Sequence, residues 1–151
     1  MHNPSIRVVG YTDMSRRSVL DLFHPAVAEW FTRAFSSPTT PQLLGWPAIA
    51  RGESTLMLAP TGSGKTLAAF LWCLNRLMFS PAPAPASRCR VLYVSPLKGL
   101  ASDVDRNLRA PLEGIASVAR AQNVAIAAPA IAIRTGDTPA LERARFGREA
   151  A

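Results

Sequence analysis

The sequence has little cysteine and no hydrophobic run long enough to cross a membrane. Cys73 and Cys89 form neither a metal-ligand pattern nor a disulfide framework, so we interpret both as small buried hydrophobes in a reducing compartment. The apolar run at residues 67–79 is interrupted by Asn75 and Arg76, which excludes a transmembrane helix there. The N-terminus lacks the apolar core of a signal peptide, and we therefore expect a cytoplasmic protein without a membrane partner.

Acidic residues are scarce relative to basic ones. The 151 residues include 17 Lys plus Arg and 10 Asp plus Glu, which gives a formal charge of +7. This balance favours a polyanionic partner, nucleic acid first, although a solubilising surface charge explains it equally well. Hydrophobic residues make up 48% of the chain, which is enough for a substantial core and argues against global disorder.

Apolar runs alternate with helical patterns along the chain, which predicts an α/β fold with a parallel sheet. We expect residues 1–20 to be a loose extension and residues 21–151 to form one domain. Continuous apolar runs predict buried strands at residues 54–59, 90–95 and 130–134. A helix is predicted to begin after Thr40 as N-cap and to reach residue 51, with a kink or early stop at Pro47. The other predicted helices are residues 25–35, 65–79, 98–110, 111–122 and a last one from Thr138.

The clearest chemical signal is the segment Ala-Pro-Thr-Gly-Ser-Gly-Lys-Thr at residues 59–66. It follows a predicted strand and opens a predicted helix, which is the context of a phosphate-binding P-loop. Gly62 and Gly64 would let the backbone approach an anion, and the amides at the helix N-terminus would favour its charge. Because Ala59 stands where the motif asks for glycine, a chance glycine-rich turn is the alternative.

Lys65 and Thr66 complete the expected P-loop chemistry. Lys65 would reach the β- and γ-phosphates of a nucleotide, and the Thr66 hydroxyl would hold Mg²⁺. A lysine at this place is notable because the chain has fifteen arginines and only two lysines. The nucleotide-binding residues predicted in the turn are Thr61, Gly62, Ser63, Gly64, Lys65 and Thr66.

Three further segments fit an enzyme that uses a nucleotide and binds nucleic acid. Gln42, in Pro-Thr-Thr-Pro-Gln, offers the donor and acceptor that match an adenine edge, although alone it is an ordinary residue of a helix N-terminus. Residues 95–98 and 134–138 each follow a predicted parallel strand, where ligands bind in open α/β sheets. The alternatives are a plain strand-to-helix connection and a turn capped by Thr138. The candidate contacts to backbone phosphates are Ser95, Pro96, Leu97, Lys98, Arg134, Thr135, Gly136 and Thr138.

Taken in order, these segments resemble the motifs of superfamily two helicases, and most of all the Lhr (large helicase-related) family of DEAD/DEAH-type enzymes. The matching text is Pro-Thr-x-x-Gln, Ala-Pro-Thr-Gly-Ser-Gly-Lys-Thr, Ser-Pro-Leu-Lys-Gly-Leu and Arg-Thr-Gly-Asp-Thr, and the resemblance extends over residues 20–146. It implies a P-loop NTPase with a RecA-like parallel sheet flanked by helices. Residues 21–151 would then be the N-terminal part of the first helicase domain.

The resemblance also implies the cofactors and partners. ATP and Mg²⁺ would be the cofactors, and single-stranded DNA the partner, with RNA or a DNA/RNA hybrid left open. Gln42 would recognise adenine, with Phe23 as the aromatic residue that stacks on it, while Lys65 and Thr66 would act on the ATP phosphates and Mg²⁺. Residues 95–98 and 135–138 would grip the sugar–phosphate backbone.

One part of the family pattern is missing. No Asp-Glu-x-His motif follows Thr138, and the nearest acidic residues, Glu142 and Glu149, fall on a predicted helix. In the family, that acidic pair completes the Mg²⁺ shell and polarises the attacking water. We therefore expect part of a helicase domain that binds nucleotide weakly and does not hydrolyse it productively. A non-helicase P-loop NTPase or kinase, and a non-functional remnant of a helicase gene, are the alternatives.

Overall fold

The computed structural model describes residues 19–81, 83–84, 89–95, 99–142 and 144, and within these ranges its regular elements are helices. Most of the predicted extension lies outside the described residues. A 3₁₀ turn at Leu20–Leu22 precedes four helices: α1 at Pro25–Ala34, α2 at Thr40–Ala50, α3 at Lys65–Phe79 and α4 at Gly99–Ala121. Helix α1 packs against α4, and α2 packs against α3. No helix in the described part of the chain is long and apolar enough to span a membrane.

Helices α1 and α3 confirm the sequence predictions. Pro25 occupies the first turn of α1, where its missing N–H costs nothing. The helix buries Ala26, Val27 and Phe31, which recur at the predicted helical spacing. Helix α3 begins at Lys65 and ends at Phe79, the bounds that the sequence predicts for the helix after the glycine-rich turn.

Helices α2 and α4 differ from the predictions at their prolines. The N-cap of α2 is Thr39, one residue before the predicted Thr40, and the helix continues past Pro47. The helix does so because the Arg51 N–H bonds to the Pro47 carbonyl at 3.2 Å, which carries the helical pattern beyond the proline. Helix α4 is one helix of 23 residues and includes Pro111, where two separate segments were predicted. Burial of Ile115 and its neighbours in the core offsets the backbone hydrogen bond that Pro111 cannot make.

The three predicted strands do not form in the described residues, so this structure does not confirm the predicted parallel sheet. Residues 54–59, 90–95 and 130–134 have no regular secondary structure. Leu58 is 86% exposed and Leu92 is 80% exposed, although the sequence predicts both to be buried in the sheet. A helix satisfies its own backbone groups, whereas a strand needs a neighbour for its N–H and C=O groups. The predicted sheet depends on that long-range pairing and stays a prediction.

The core lies between the helices and centres on aromatic rings. Trp46 is fully buried, and its ring meets Phe23 edge-on at 4.9 Å and Phe31 edge-on at 5.4 Å. Phe23 also meets Trp72 edge-on at 5.5 Å, which joins α3 to the same cluster. Such edge-to-face pairs add roughly 0.5–1.5 kcal/mol each beyond the burial of their area. The buried residues of this core are Val19, Phe23, Val27, Phe31, Trp46, Leu71, Leu74, Met78 and Ile115.

His24 joins the start of α1 to the end of α3. Its Nδ1 accepts a hydrogen bond from the Ala26 N–H at 3.2 Å, and the backbone N–H of His24 donates to Asn75 Oδ1 at 2.8 Å. The imidazole stacks on Phe79 with ring centres 3.8 Å apart. Burial lowers the pKa of His24 below its ordinary value of 6.5, because the charged ring would lose solvation.

We expect the stability of the chain to depend on pH through His24. The neutral ring is the form that the fold holds, so stability is full above pH 6.5 and falls as the pH drops through 6.5 to the lower pKa of the folded state. The melting temperature of the wild type should fall as the pH is lowered through this range. His24→Asn should show less of this loss, since asparagine caps a helix without titrating.

The control for His24 is His2→Asn, because these are the two histidines of the chain. This variant should follow the wild-type pH profile. A His24→Asn profile as steep as that of the wild type would contradict the role of His24.

Candidate nucleotide-binding site

The turn at residues 59–66 has the backbone of a phosphate-binding loop. Gly62 has a φ of +77° and Gly64 a φ of +84°, a left-handed conformation that side chains with a Cβ rarely adopt. Gly64 is the N-cap of α3, and no side chain caps the helix there. The first amides of α3 therefore have no partner within the helix and can bind an anion, which the helix dipole also favours.

Lys65 lies at the first position of α3 and folds back over the turn. Its ammonium group donates to the Pro60 carbonyl at 2.6 Å and to the Ala59 carbonyl. These bonds hold the charge beside the turn, within the segment whose amides can bind phosphate. Lys65 and Thr66 also line a cleft of about 470 Å³ next to the turn. The structure thus brings together the two residues that the sequence assigns to phosphate and Mg²⁺.

The cleft also has walls that the sequence did not predict. Tyr93 and Met57, from two of the predicted strands, line it together with Lys65 and Thr66. Glu53 lines it too, and its carboxylate accepts hydrogen bonds from Arg51 at 2.8 and 3.2 Å. The sequence held one signal for this wall, because Tyr93 places an aromatic ring with a polar hydroxyl inside an apolar run. The full lining is Ile49, Glu53, Thr55, Met57, Lys65, Thr66, Ala69 and Tyr93.

Gln42 lies directly against the glycine-rich turn. Gln42 is only 3% exposed. Its Oε1 accepts a hydrogen bond from the Thr39 N–H at 2.9 Å. Its Nε2 donates to the Gly64 carbonyl at 3.4 Å, a long hydrogen bond. The structure therefore places Gln42 beside the P-loop, but both ends of its amide already have partners in the protein. Recognition of adenine by Gln42 stays a prediction, and it requires these contacts to be exchanged.

A second residue of α2 contacts the same part of α3. The Trp46 indole N–H donates to the Ala68 carbonyl at 3.0 Å in the buried core. The sequence predictions did not single out Trp46, and they missed this contact. Its signal was the spacing, since Trp46 lies four residues after Gln42 and hence on the same face of α2.

Phe23 is not available to stack on a base. It is 6% exposed, and its ring is packed edge-on between Trp46 and Trp72. The prediction that Phe23 stacks on adenine is therefore wrong, because the core already uses this ring.

The predicted nucleic-acid contacts are described only in part. Pro96, Leu97 and Lys98 lie outside the described residues, and the Ser95 hydroxyl is buried without a hydrogen-bond partner in the described part of the chain. Residues 134–138 form a compact turn, in which the Thr135 N–H donates to Thr138 Oγ1 at 2.9 Å. In the same turn the Asp137 N–H donates to Thr135 Oγ1 at 3.3 Å. The Thr138 hydroxyl therefore closes this turn, and Arg134 is exposed.

Comparison with known proteins decides the family. The model of the DEAD/DEAH box helicase family matches residues 39–145. The chain belongs to this helicase family. This match spans the Gln42 segment, the glycine-rich turn and the turn at 134–138, in the order in which the sequence presents them. Membership implies a RecA-like P-loop fold, of which this structure describes the helices and the turn.

Several relatives of this chain are Lhr proteins, which confirms the resemblance seen in the sequence. The Lhr helicase/probable uracil glycosylase of Mycolicibacterium smegmatis is 52% identical over 82% of this chain and 8% of its own length. The Lhr helicase/uracil glycosylase of Escherichia coli is 47% identical over 85% of this chain and 9% of its own length. The ATP-dependent helicase Lhr-Core of Methanocaldococcus jannaschii is 37% identical over 89% of this chain and 16% of its own length.

A solved structure is similar to this helicase chain. It is the Mycobacterium smegmatis helicase Lhr bound to ssDNA and AMP-PNP, with a TM-score of 0.73 and 49% identity. The similarity covers 85% of this chain and 16% of that one. The chain therefore spans only a small part of the relatives that it matches.

We expect Gly64 to be the least replaceable glycine of the turn. A Cβ at Gly64 would lie 2.8 Å from Gln42 Nε2, whereas a Cβ at Gly62 or Gly52 would meet nothing within 4 Å. All three glycines have positive φ, so alanine should cost about 1–2 kcal/mol of backbone strain at each. Gly64→Ala should cost a further 1–3 kcal/mol, roughly, through overpacking against Gln42.

Chemical unfolding of the three alanine variants measures this difference directly. Gly52→Ala and Gly62→Ala are the matched controls, because they share the backbone strain but not the contact. Equal losses at all three positions would show that Gln42 does not press against Gly64.

Proposed function

We propose that this chain binds ATP with Mg²⁺ at the turn 59–66, as part of an Lhr-type ATP-dependent DNA helicase. The observation that carries the proposal is the turn itself. Two glycines at positive φ lead directly into α3, which places Lys65 and Thr66 at the first two helical positions. Membership of the DEAD/DEAH box helicase family supports the choice of ATP as the nucleotide.

The residues present fit a magnesium nucleotide. The free amides of the turn would bind phosphate oxygens, and Lys65 would exchange the carbonyls of Ala59 and Pro60 for them. The Thr66 hydroxyl would be the protein ligand of Mg²⁺, which usually keeps several waters and takes other oxygens from phosphate. The cleft of about 470 Å³ beside these residues is within the usual size range of small-molecule sites.

Binding without productive hydrolysis is the activity that we propose for the chain by itself. The sequence contains no Asp-Glu-x-His motif, and the described residues contain no group of three or more His, Cys, Asp or Glu side chains that could hold a metal ion. The Asp-Glu pair that completes the Mg²⁺ shell and polarises the attacking water in the helicase family has no counterpart in this sequence. Mg²⁺ would then be held through Thr66 and the nucleotide itself.

Single-stranded DNA is the partner that we propose for the complete helicase. The Lhr structure similar to this chain is described as bound to ssDNA. In this chain, Arg134 is exposed at the compact turn 134–138, and Lys98 belongs to the candidate segment at residues 95–98. Contacts from such residues would go to the phosphate backbone, so binding should be tolerant of sequence and weaken with salt.

A non-functional helicase remnant is the second candidate. The observation that favours it is the exposure of large apolar side chains, with Leu56 at 83%, Leu58 at 86% and Val94 at 79%. Exposed apolar segments with unpaired backbone groups favour association between chains. The family match argues against the other alternative, a non-helicase P-loop kinase.

Titration calorimetry with Mg·ATP distinguishes these candidates. The wild-type chain should bind, and Lys65→Ala should bind at least about tenfold more weakly because it loses a charge-assisted contact to phosphate. Arg33→Ala is the control, since it removes an equal charge from an exposed ion pair with Glu29 on α1. Equal binding by Lys65→Ala and wild type would contradict the proposed site.

Phosphate release tests the second half of the proposal. The wild-type chain should show no ATP turnover above background, with or without single-stranded DNA. Robust turnover that Lys65→Ala abolishes would contradict the proposal that the chain binds ATP without hydrolysing it.

A further inference from the structure

Helix α2 holds the first turn of α3 through two hydrogen bonds that are one helical turn apart. Gln42 Nε2 donates to the Gly64 carbonyl at 3.4 Å, and Trp46 Nε1 donates to the Ala68 carbonyl at 3.0 Å. The two acceptors are themselves joined, because the Ala68 N–H donates to the Gly64 carbonyl at 2.9 Å. The four residues therefore form a ladder between the helices, with Gln42–Gly64 and Trp46–Ala68 as its rungs.

The Trp46 rung is the firmer of the two. Its hydrogen bond is shorter, and the indole is fully buried between Phe23 and Phe31. A ring packed edge-on against two others cannot turn away, and a buried indole N–H needs an acceptor. The core thus fixes the position of the Trp46 N–H, which in turn fixes the Ala68 carbonyl.

The backbone of the glycine-rich turn does little to fix its own direction. Its backbone hydrogen bond, from the Ser63 N–H to the Pro60 carbonyl, is long at 3.4 Å. Both of its glycines adopt conformations that glycine can also leave easily. The Lys65 side chain also bonds to carbonyls of the turn, but it would exchange these carbonyls for phosphate when a nucleotide binds. The direction of the amides at the start of α3 in the bound state would therefore depend on what holds that helix from outside.

We propose that Trp46 is a positioning residue for nucleotide binding, acting through its hydrogen bond to Ala68 to hold the start of α3 in the orientation that receives phosphate. This role rests on the proposed binding of ATP at the turn. A helix start that is held before binding does not have to be ordered during it, and this reduces the entropic cost of binding. Removal of the rung should therefore weaken nucleotide binding without removing any group that touches the nucleotide.

The variant Trp46→Phe tests the proposal, since it keeps an aromatic ring in the core and loses the indole N–H. Loss of one hydrogen bond of this kind should raise the Kd for Mg·ADP about two- to tenfold. Trp30→Phe is the matched control, because it makes the same change of indole to phenyl at a partly buried position on α1. An unchanged Kd in Trp46→Phe, or an equal rise in Trp30→Phe, would overturn the proposal.

Amide hydrogen exchange provides a readout that general destabilisation does not reproduce. In the nucleotide-free chain, Trp46→Phe should speed exchange at the Ala68 amide relative to the Ile115 amide of α4, and Trp30→Phe should not. If the wild type binds no nucleotide, the proposed ATP site fails, whereas a selective effect at Ala68 would still support the rung. A proportional rise at both amides would mean that Trp46 only stabilises the core, and would overturn the proposal.

The wild-type chain alone also decides the matter if Trp46→Phe fails to fold. In a ¹⁵N-resolved spectrum, the Trp46 indole N–H should exchange with solvent more slowly than that of Trp30. Its resonance should also shift when Mg·ADP is added. Fast exchange of the Trp46 indole, or a resonance that ignores bound nucleotide, would overturn the proposal.

Discussion

The contact between α2 and the first turn of α3 is the constraint on which the rest of the structure depends. Trp46 lies where the aromatic core meets the helix that follows the glycine-rich turn, with its ring in the core and its N–H on the Ala68 carbonyl. Through Trp46, the burial of apolar surface in the aromatic core would fix the direction of the backbone amides at the start of α3. The glycines of the turn supply freedom to bend, and the neighbouring helix limits that freedom to one arrangement.

Helices hold the glycine-rich turn at residues 59–66, without a formed sheet in the described residues. Each helix satisfies its own backbone, so α1 to α4 can pack around Trp46 and Phe31 while the apolar segments beside them remain exposed. In the DEAD/DEAH box helicase family these segments correspond to the strands of a RecA-like fold. Leu58 and Leu92 therefore present apolar surface that a paired sheet would cover.

What the sequence predicted correctly is local in origin. The spacing of Val27 and Phe31 predicted α1, and the glycines of residues 59–66 predicted the turn and the start of α3. What it missed involves contacts between distant residues: the burial of Phe23 and the hydrogen bond from Trp46 to Ala68. The predicted sheet also depends on distant pairing, and the described residues do not confirm it. No periodicity or motif records which distant carbonyl a tryptophan will face, so the sequence showed the phosphate site but not what holds it in place.

The central claim is that residues 59–66, held by α2, form a triphosphate site in this chain. The most direct measurement is a crystal structure of the chain with Mg²⁺ and a non-hydrolysable ATP analogue. We predict phosphate oxygens on the amides of Gly62 to Thr66, Lys65 turned from Pro60 towards them, and Trp46 still bonded to Ala68. A nucleotide bound elsewhere, or a turn that binds phosphate after α2 has separated from α3, would contradict it.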